Sequence, residues 1–175
     1  MTGLICAAAI TFALAGCQLT DTLLVKNTVN ANSATHPKYS EYVQSGQLLP
    51  ITSVINVEGT NVDLSNPEKK KLVVLFATWC SDSNRALKAL NESPLLNDDN
   101  VEVIAIAREE TKEQVIEWRD KHNINVPLAV DPERKIYAQF AEGGIPRFVT
   151  VSRDNKIIKM NLAEDENQLN KIVWM

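Results

Sequence analysis

The sequence has little of what metals, phosphates or nucleic acids require. Its two histidines, His36 and His122, and its three cysteines, Cys6, Cys17 and Cys80, stand far apart, so no set of side chains has metal-site spacing. There is no glycine-rich phosphate loop, because the only adjacent glycines, Gly143-Gly144, lack the surrounding pattern. Neither a metal nor any other cofactor is expected. Positive charge is sparse: the net charge is −4, and no basic run exceeds Lys69 to Lys71, which leaves a nucleic-acid partner without electrostatic support. Above all, the chain lacks a second cysteine near Cys80, and that absence governs what its chemistry can be.

What is present begins with an uncharged opening, Met1 to Gly16, dominated by Ala, Leu and Ile. Too short to span a bilayer comfortably, it has the character of a signal-peptide apolar region. Its end, Leu14-Ala15-Gly16-Cys17, resembles the bacterial lipoprotein cleavage site, although Met1-Thr2-Gly3 carries none of the usual initial basic residues. The resemblance implies a signal peptide over 1–16 and a diacylated Cys17 holding the chain to a membrane. Gln18 after that cysteine implies an outer-membrane destination facing the periplasm in a Gram-negative source. From 17 to 47 the composition turns to Asn, Ser, Thr, Gln and Lys, as expected of a tether. A folded domain is expected over 48–175. In this reading Cys6 leaves with the signal and Cys17 is taken by lipid, so Cys80 is the remaining thiol.

The chain is organised around Lys71-Leu72-Val73-Val74-Leu75-Phe76-Ala77-Thr78-Trp79-Cys80. Its continuous apolar run reads as a strand buried on both faces. From Ser83 to Leu90, Ala86, Leu87 and Leu90 recur at helical spacing, with Ser81, Asp82 and Ser83 as candidate N-caps. Cys80 therefore sits at a helix N-terminus, where open N–H groups and the helix dipole favour a thiolate.

Further along, Ile51 to Val57 and Asn61 to Leu64 read as a hairpin about Glu58-Gly59-Thr60. Val101 to Ala107 reads as a second buried strand, and Thr111 caps a helix running to His122, whose imidazole suits the dipole there. Val126 to Val130 is a strand, Glu133 to Phe140 a short helix, and Phe148 to Val151 with Lys156 to Met160 a second hairpin. A terminal helix takes in Leu169 to Ile172. Strands alternating with helices require parallel pairing and right-handed crossovers, so the fold class is α/β in one domain.

Trp79-Cys80-Ser81-Asp82-Ser83 is similar to the thioredoxin-type Trp-Cys-x-x-Cys signature, with Ser83 in place of the second cysteine. Three more features join it: Val62-Asp63-Leu64 closing the first hairpin, Val126-Pro127-Leu128-Ala129-Val130-Asp131, and Gly144-Ile145-Pro146 before Phe148-Val149-Thr150-Val151. Together they resemble the thioredoxin-like proteins of the TlpA/ResA (redoxin) family, related to AhpC/TSA proteins, over Leu48 to Trp174. The resemblance implies a thioredoxin-like fold, a central mixed β-sheet flanked by helices with an N-terminal β-hairpin extension. It also implies a cis Ile145-Pro146 bond packed on Cys80, with Trp79, Ile145 and Pro146 contacting an extended substrate.

Reductases of this family resolve the mixed disulfide with their second cysteine, which Ser83 cannot do. The Ser83 hydroxyl is expected to donate a hydrogen bond to the Cys80 thiolate, while Asp82 opposes a second negative charge. Val74 occupies the position of a buried carboxylate in many thioredoxins, and Lys88 that of a helix-bending proline. Three readings follow. Cys80 attacks a disulfide on a protein or small molecule and an external thiol resolves the adduct; the groove at Trp79 and Pro146 only binds peptide; or Cys80 is a one-cysteine peroxidase aided by Arg147, otherwise an exposed strand residue.

Overall fold

The structure, a computed structural model, describes residues 39–174. The expected signal segment, Cys17, His36 and most of the expected tether lie outside the described residues. Among the described residues, no helix is long and apolar enough to cross a membrane.

A short antiparallel hairpin comes first, β1 (Ser53–Ile55) and β2 (Asn61–Asp63), with Val54 opposite Val62. Its turn needs Gly59, whose φ of +87° disfavours a side chain. The main sheet follows, built on β3 (Lys70–Phe76), β4 (Val101–Arg108), β5 (Leu128–Asp131), β6 (Arg147–Val151) and β7 (Ile157–Leu162). Strand order is β5-β4-β3-β6-β7. β3, β4 and β5 run parallel, and β6 and β7 are antiparallel additions. The fold is thus thioredoxin-like with a mixed sheet.

The apolar run of β3 lies at the centre because both of its faces are covered. Leu72, Val74 and Phe76 pack with Ala86, Leu87 and Leu90 of α1 (Ser81–Asn91) and with Val115 and Trp118 of α2 (Lys112–His122). Val73 and Leu75 face the other way, onto Ile51, Val54, Tyr137 and Phe140. Both helices therefore share one face, and the hairpin with a loop closes the other. Thr111 caps α2 through a capping box with Gln114, and Asn123 ends it in the left-handed region at φ +52°. His122 closes α2, but partial burial, then Lys88 and Lys121, push its pKa below the ordinary value. The imidazole is thus biased towards its neutral form and is a weaker dipole partner than expected.

Three local expectations change. The helix expected over Glu133 to Phe140 is only a 3-10 turn at Tyr137–Gln139. Arg134 adopts φ +59°, and the Asp131 carboxylate takes the Ile136 and Tyr137 N–H groups at 3.0 and 2.8 Å, which pre-empts helical bonding. The expected terminal helix is likewise a 3-10 turn, Gln168–Lys171. Finally, residues 39–47, which composition assigns to the tether, pack on the domain. Tyr42 N–H donates to Phe140 C=O at 2.8 Å, Val43 is buried, and Tyr39 lies so close to Gly143 that a Cβ there would meet its ring at 2.5 Å.

Candidate functional site

The site forms where the parallel strands end, the usual place for ligands in an open α/β sheet. β3 stops at Phe76, and the chain turns through Thr78 and Trp79 before Cys80 starts α1. Cys80 itself is the N-cap (φ −90°, ψ 123°), with no side-chain cap bond. Ser81, Asp82 and Ser83 are the first turn rather than the cap. The first-turn N–H groups are accordingly open at the end where the sulfur sits.

Cys80 is half-buried and is the free cysteine among the described residues. Its Sγ lies 3.8 Å from the Ile145 carbonyl oxygen, and Ile145–Pro146 is a cis peptide. Trp79 stands beside it with 63% of its surface exposed. Ser83 takes a different position from the one expected. Fully buried, its hydroxyl accepts the Ala77 N–H at 3.4 Å, so it is turned onto the strand end and not onto the sulfur. Asp82 forms an ion pair with Arg85, which offsets its charge beside the thiol.

Polar groups that sequence reasoning did not single out fix the loop. The Glu110 carboxylate is buried; it accepts the Thr78 N–H at 2.8 Å and the Thr78 hydroxyl. From the helix side, Asn84 Nδ2 donates to the carbonyls of Thr78 and Cys80 at 2.7 and 2.9 Å. Trp118 Nε1 donates to Asn84 Oδ1, which sets the amide's orientation. Each of these bonds goes to backbone or to Thr78 and none to the sulfur, whose own contact is with the Ile145 carbonyl. One signal for Glu110 was available, since it lies two residues beyond a buried strand, at the ligand-binding edge of the sheet.

Arg147 departs furthest from expectation. It is buried at 1% exposure instead of standing at the surface, and it points away from Cys80. Nη1 pairs with Glu41 at 2.6 Å, while Nε and Nη2 donate to Gly143 C=O at 3.1 and 2.7 Å. The Tyr137 hydroxyl donates to Gly144 C=O at 2.6 Å. Together they brace the loop that carries Ile145 and Pro146. Among the described residues, no group of three His, Cys, Asp or Glu side chains could hold a metal ion.

The Redoxin family model matches residues 44–173. Thiol-disulfide oxidoreductase ResA of Bacillus anthracis is 25% identical over 130 residues, 73% of this chain and 75% of the relative. ResA of Bacillus subtilis strain 168 is 20% identical over 122 residues, 69% of this chain and 68% of the relative. Among solved structures, a putative protein disulfide isomerase from Bacteroides thetaiotaomicron superposes with a TM-score of 0.68 at 24% identity, covering 74% of this chain and 86% of the other. A secreted Mycobacterium tuberculosis disulfide oxidoreductase has a TM-score of 0.54 at 20% identity, covering 63% and 81%.

Proposed function

The chain belongs to the redoxin family, and we propose that it is a thiol-disulfide oxidoreductase of the thioredoxin-like type that acts outside the cytoplasm through Cys80 alone. The Cys80 thiolate attacks a substrate disulfide, forming a mixed disulfide and expelling the partner sulfur as a thiolate. Because Ser83 has no thiol, an external thiolate completes the exchange. The observation that carries this reading is Cys80 itself, half-buried, at the uncapped start of α1 and 3.8 Å from the Ile145 carbonyl oxygen. Trp79, Ile145 and Pro146 would hold the chain that bears the substrate disulfide. The named activity of the ResA relatives supports the same chemistry.

The test is disulfide reduction by the full chain with an excess of a small thiol. Cys80→Ser abolishes turnover in this reading, whereas Ser83→Cys supplies a resolving thiol and yields reduction of insulin disulfides. Full activity of Cys80→Ser would sink the proposal. A second reading, a peptide-binding module, draws on the 63% exposure of Trp79. It expects peptide binding that survives Cys80→Ser and is lost with Trp79→Ala. A one-cysteine peroxidase has less support, since Arg147 is engaged elsewhere.

The likeness of Leu14-Ala15-Gly16-Cys17 to a lipoprotein cleavage site supports membrane attachment through Cys17, which would set the enzyme in the bacterial envelope, facing the periplasm from the outer membrane. Cys17→Ser should then release it from membranes, and continued retention would overturn the lipid-anchor proposal.

A further inference from the structure

We propose that Arg108 is the specificity-determining residue of the Cys80 site, receiving the carboxylate of a small thiol acid that exchanges at the sulfur. This rests on the oxidoreductase reading and gives its external thiol a chemical class.

Arg108 is the last residue of β4 and is in register with Asp131 of β5, at the same strand ends from which Trp79 and Cys80 emerge. Its guanidinium carbon lies 4.8 Å from the Tyr137 ring centroid and 5.8 Å from that of Trp79. Tyr137 in turn shares an apolar cluster with Ile145 and Cys80. The cation is thus positioned by two aromatic rings, one of them adjacent in sequence to the nucleophile.

Its hydrogen bonds set it apart from the other arginines nearby. Arg147 gives its donors to Glu41, Gly143 and Gly144, and Arg134 donates to Glu142 C=O. Arg108 makes an ion pair at Nε with Glu109 at 3.2 Å, but that buried nitrogen has no hydrogen-bond acceptor. Among the described residues, the contacts that hold this guanidinium are the Glu109 ion pair and the two aromatic rings.

Two further carboxylates lie close in sequence or register and are already engaged. Glu110 is held by Thr78, and Asp131 by the Ile136 and Tyr137 N–H groups. An oriented, planar fork with open donors matches a carboxylate bidentately. With 16% of the Arg108 side chain exposed against 63% of Trp79, the fork is recessed at the rim, which suits a small thiol acid better than a folded protein.

The exchange balances as two displacements. The thiolate of the thiol acid attacks Cys80 Sγ in the substrate adduct, forming one disulfide bond as the other breaks, and the substrate leaves as its thiolate. A second thiolate attacks the sulfur of the bound thiol acid, giving its symmetrical disulfide and returning the Cys80 thiolate. The thiol acid is oxidised and the substrate disulfide reduced.

The test uses the full chain with Cys6→Ser and Cys17→Ser, so that Cys80 alone forms the adduct with 4,4′-dithiodipyridine. Thiopyridone release by 3-mercaptopropionate is compared with release by its methyl ester, each normalised to its rate against a protein-free pyridyl disulfide. The acid should hold an advantage on the order of tenfold, as expected of a charge-assisted hydrogen-bonded pair. Raising the salt should shrink it, Arg108→Lys should keep part of it, and Arg108→Gln should erase it. Equal normalised rates for acid and ester in the parent chain would overturn the proposal with no variant needed, as would an advantage undiminished in Arg108→Gln. A glutamate-bearing peptide thiol that shows the advantage while 3-mercaptopropionate does not would overturn the small-thiol assignment. If no thiol displaces thiopyridone, or no adduct forms, the oxidoreductase reading itself fails and this inference falls with it.

Discussion

Two loops meet at Cys80, and the contrast between them shows how stability and reactivity are divided. The Thr78 to Ser83 loop carries the sulfur and is held from behind, by Glu110 and Asn84, through bonds to Thr78 and to backbone carbonyls. The Gly143 to Pro146 loop is braced by a charged side chain with almost no exposure, Arg147, paired to Glu41 more than a hundred residues earlier in the chain. The first arrangement orients a reactive group without touching it. The second ties the start of the described chain to the centre of the sheet. Disturbing the first should therefore act mainly on Cys80 reactivity, and disturbing the second mainly on stability.

Removal of Arg147 should give the largest effect. Arg147→Ala removes both donors of the Gly143 carbonyl and one of two from Gly144, which keeps the Tyr137 hydroxyl, and leaves a half-solvated Glu41 without its cation; losing several charge-assisted bonds at once should cost about 2–4 kcal/mol. Urea unfolding of the parent and the variant measures it. A loss below about 1 kcal/mol, the range of a surface pair, would erase the distinction between the two loops.

Glu110→Gln comes next. A neutral amide can still accept from Thr78, but the charge-assisted character is lost, and the expected cost is about 1–3 kcal/mol. More telling is the rate of Cys80 alkylation by iodoacetamide, which should change in Glu110→Gln and stay near the parent value in Glu41→Gln. Equal changes in both variants would mean that the loops are not separable. Glu41→Gln itself should cost less, about 1 kcal/mol, because half of Glu41 is solvated and Arg147 keeps its carbonyl partners.

How much of this was legible in the sequence follows from the range over which each signal acts. The β3 run, Cys80 at the start of α1, the Thr111 cap and the turn at Gly59 are local patterns of burial, capping and backbone freedom, and they read directly. The polar scaffold was not legible. Nothing in Glu110, Asn84 or Arg147 announces its partner, because those partners are fixed only once β3, β4 and β6 are side by side. Ser83 illustrates the same limit: its spacing from Cys80 suggested a bond to sulfur, whereas the geometry of the first helical turn directs its hydroxyl to Ala77. The segment 39–47 misled through composition, since its hold on the domain is backbone bonds, one charge, the single buried Val43 and the Tyr39 ring, too few apolar residues to make a periodic pattern. Arg134 in the left-handed region broke an otherwise plausible helix, a conformation that no residue type other than glycine signals well.

The smallest expected effect is a pH dependence confined to the first loop. His122 rests against Trp118, with ring centroids 5.5 Å apart, and Trp118 donates to Asn84, which holds the Cys80 carbonyl. Partial burial, Lys88 and Lys121 depress the His122 pKa from its ordinary 6.5, so the unfolded chain takes up that proton first as the pH falls. The sign follows by linkage: the contribution of neutral His122 is present above 6.5 and is lost as the pH falls through the depressed value. Urea midpoints for the parent and His122→Gln should therefore converge between pH 7.5 and pH 5, by about the small amount expected of a solvated group. Cys80 alkylation corrected for thiolate fraction should drift over the same window in the parent and not in His122→Gln. Arg147→Ala, which acts on the other loop, should leave that drift in place. Parallel midpoints for the parent and His122→Gln at every pH would show that α2 does not communicate its charge to the Cys80 loop.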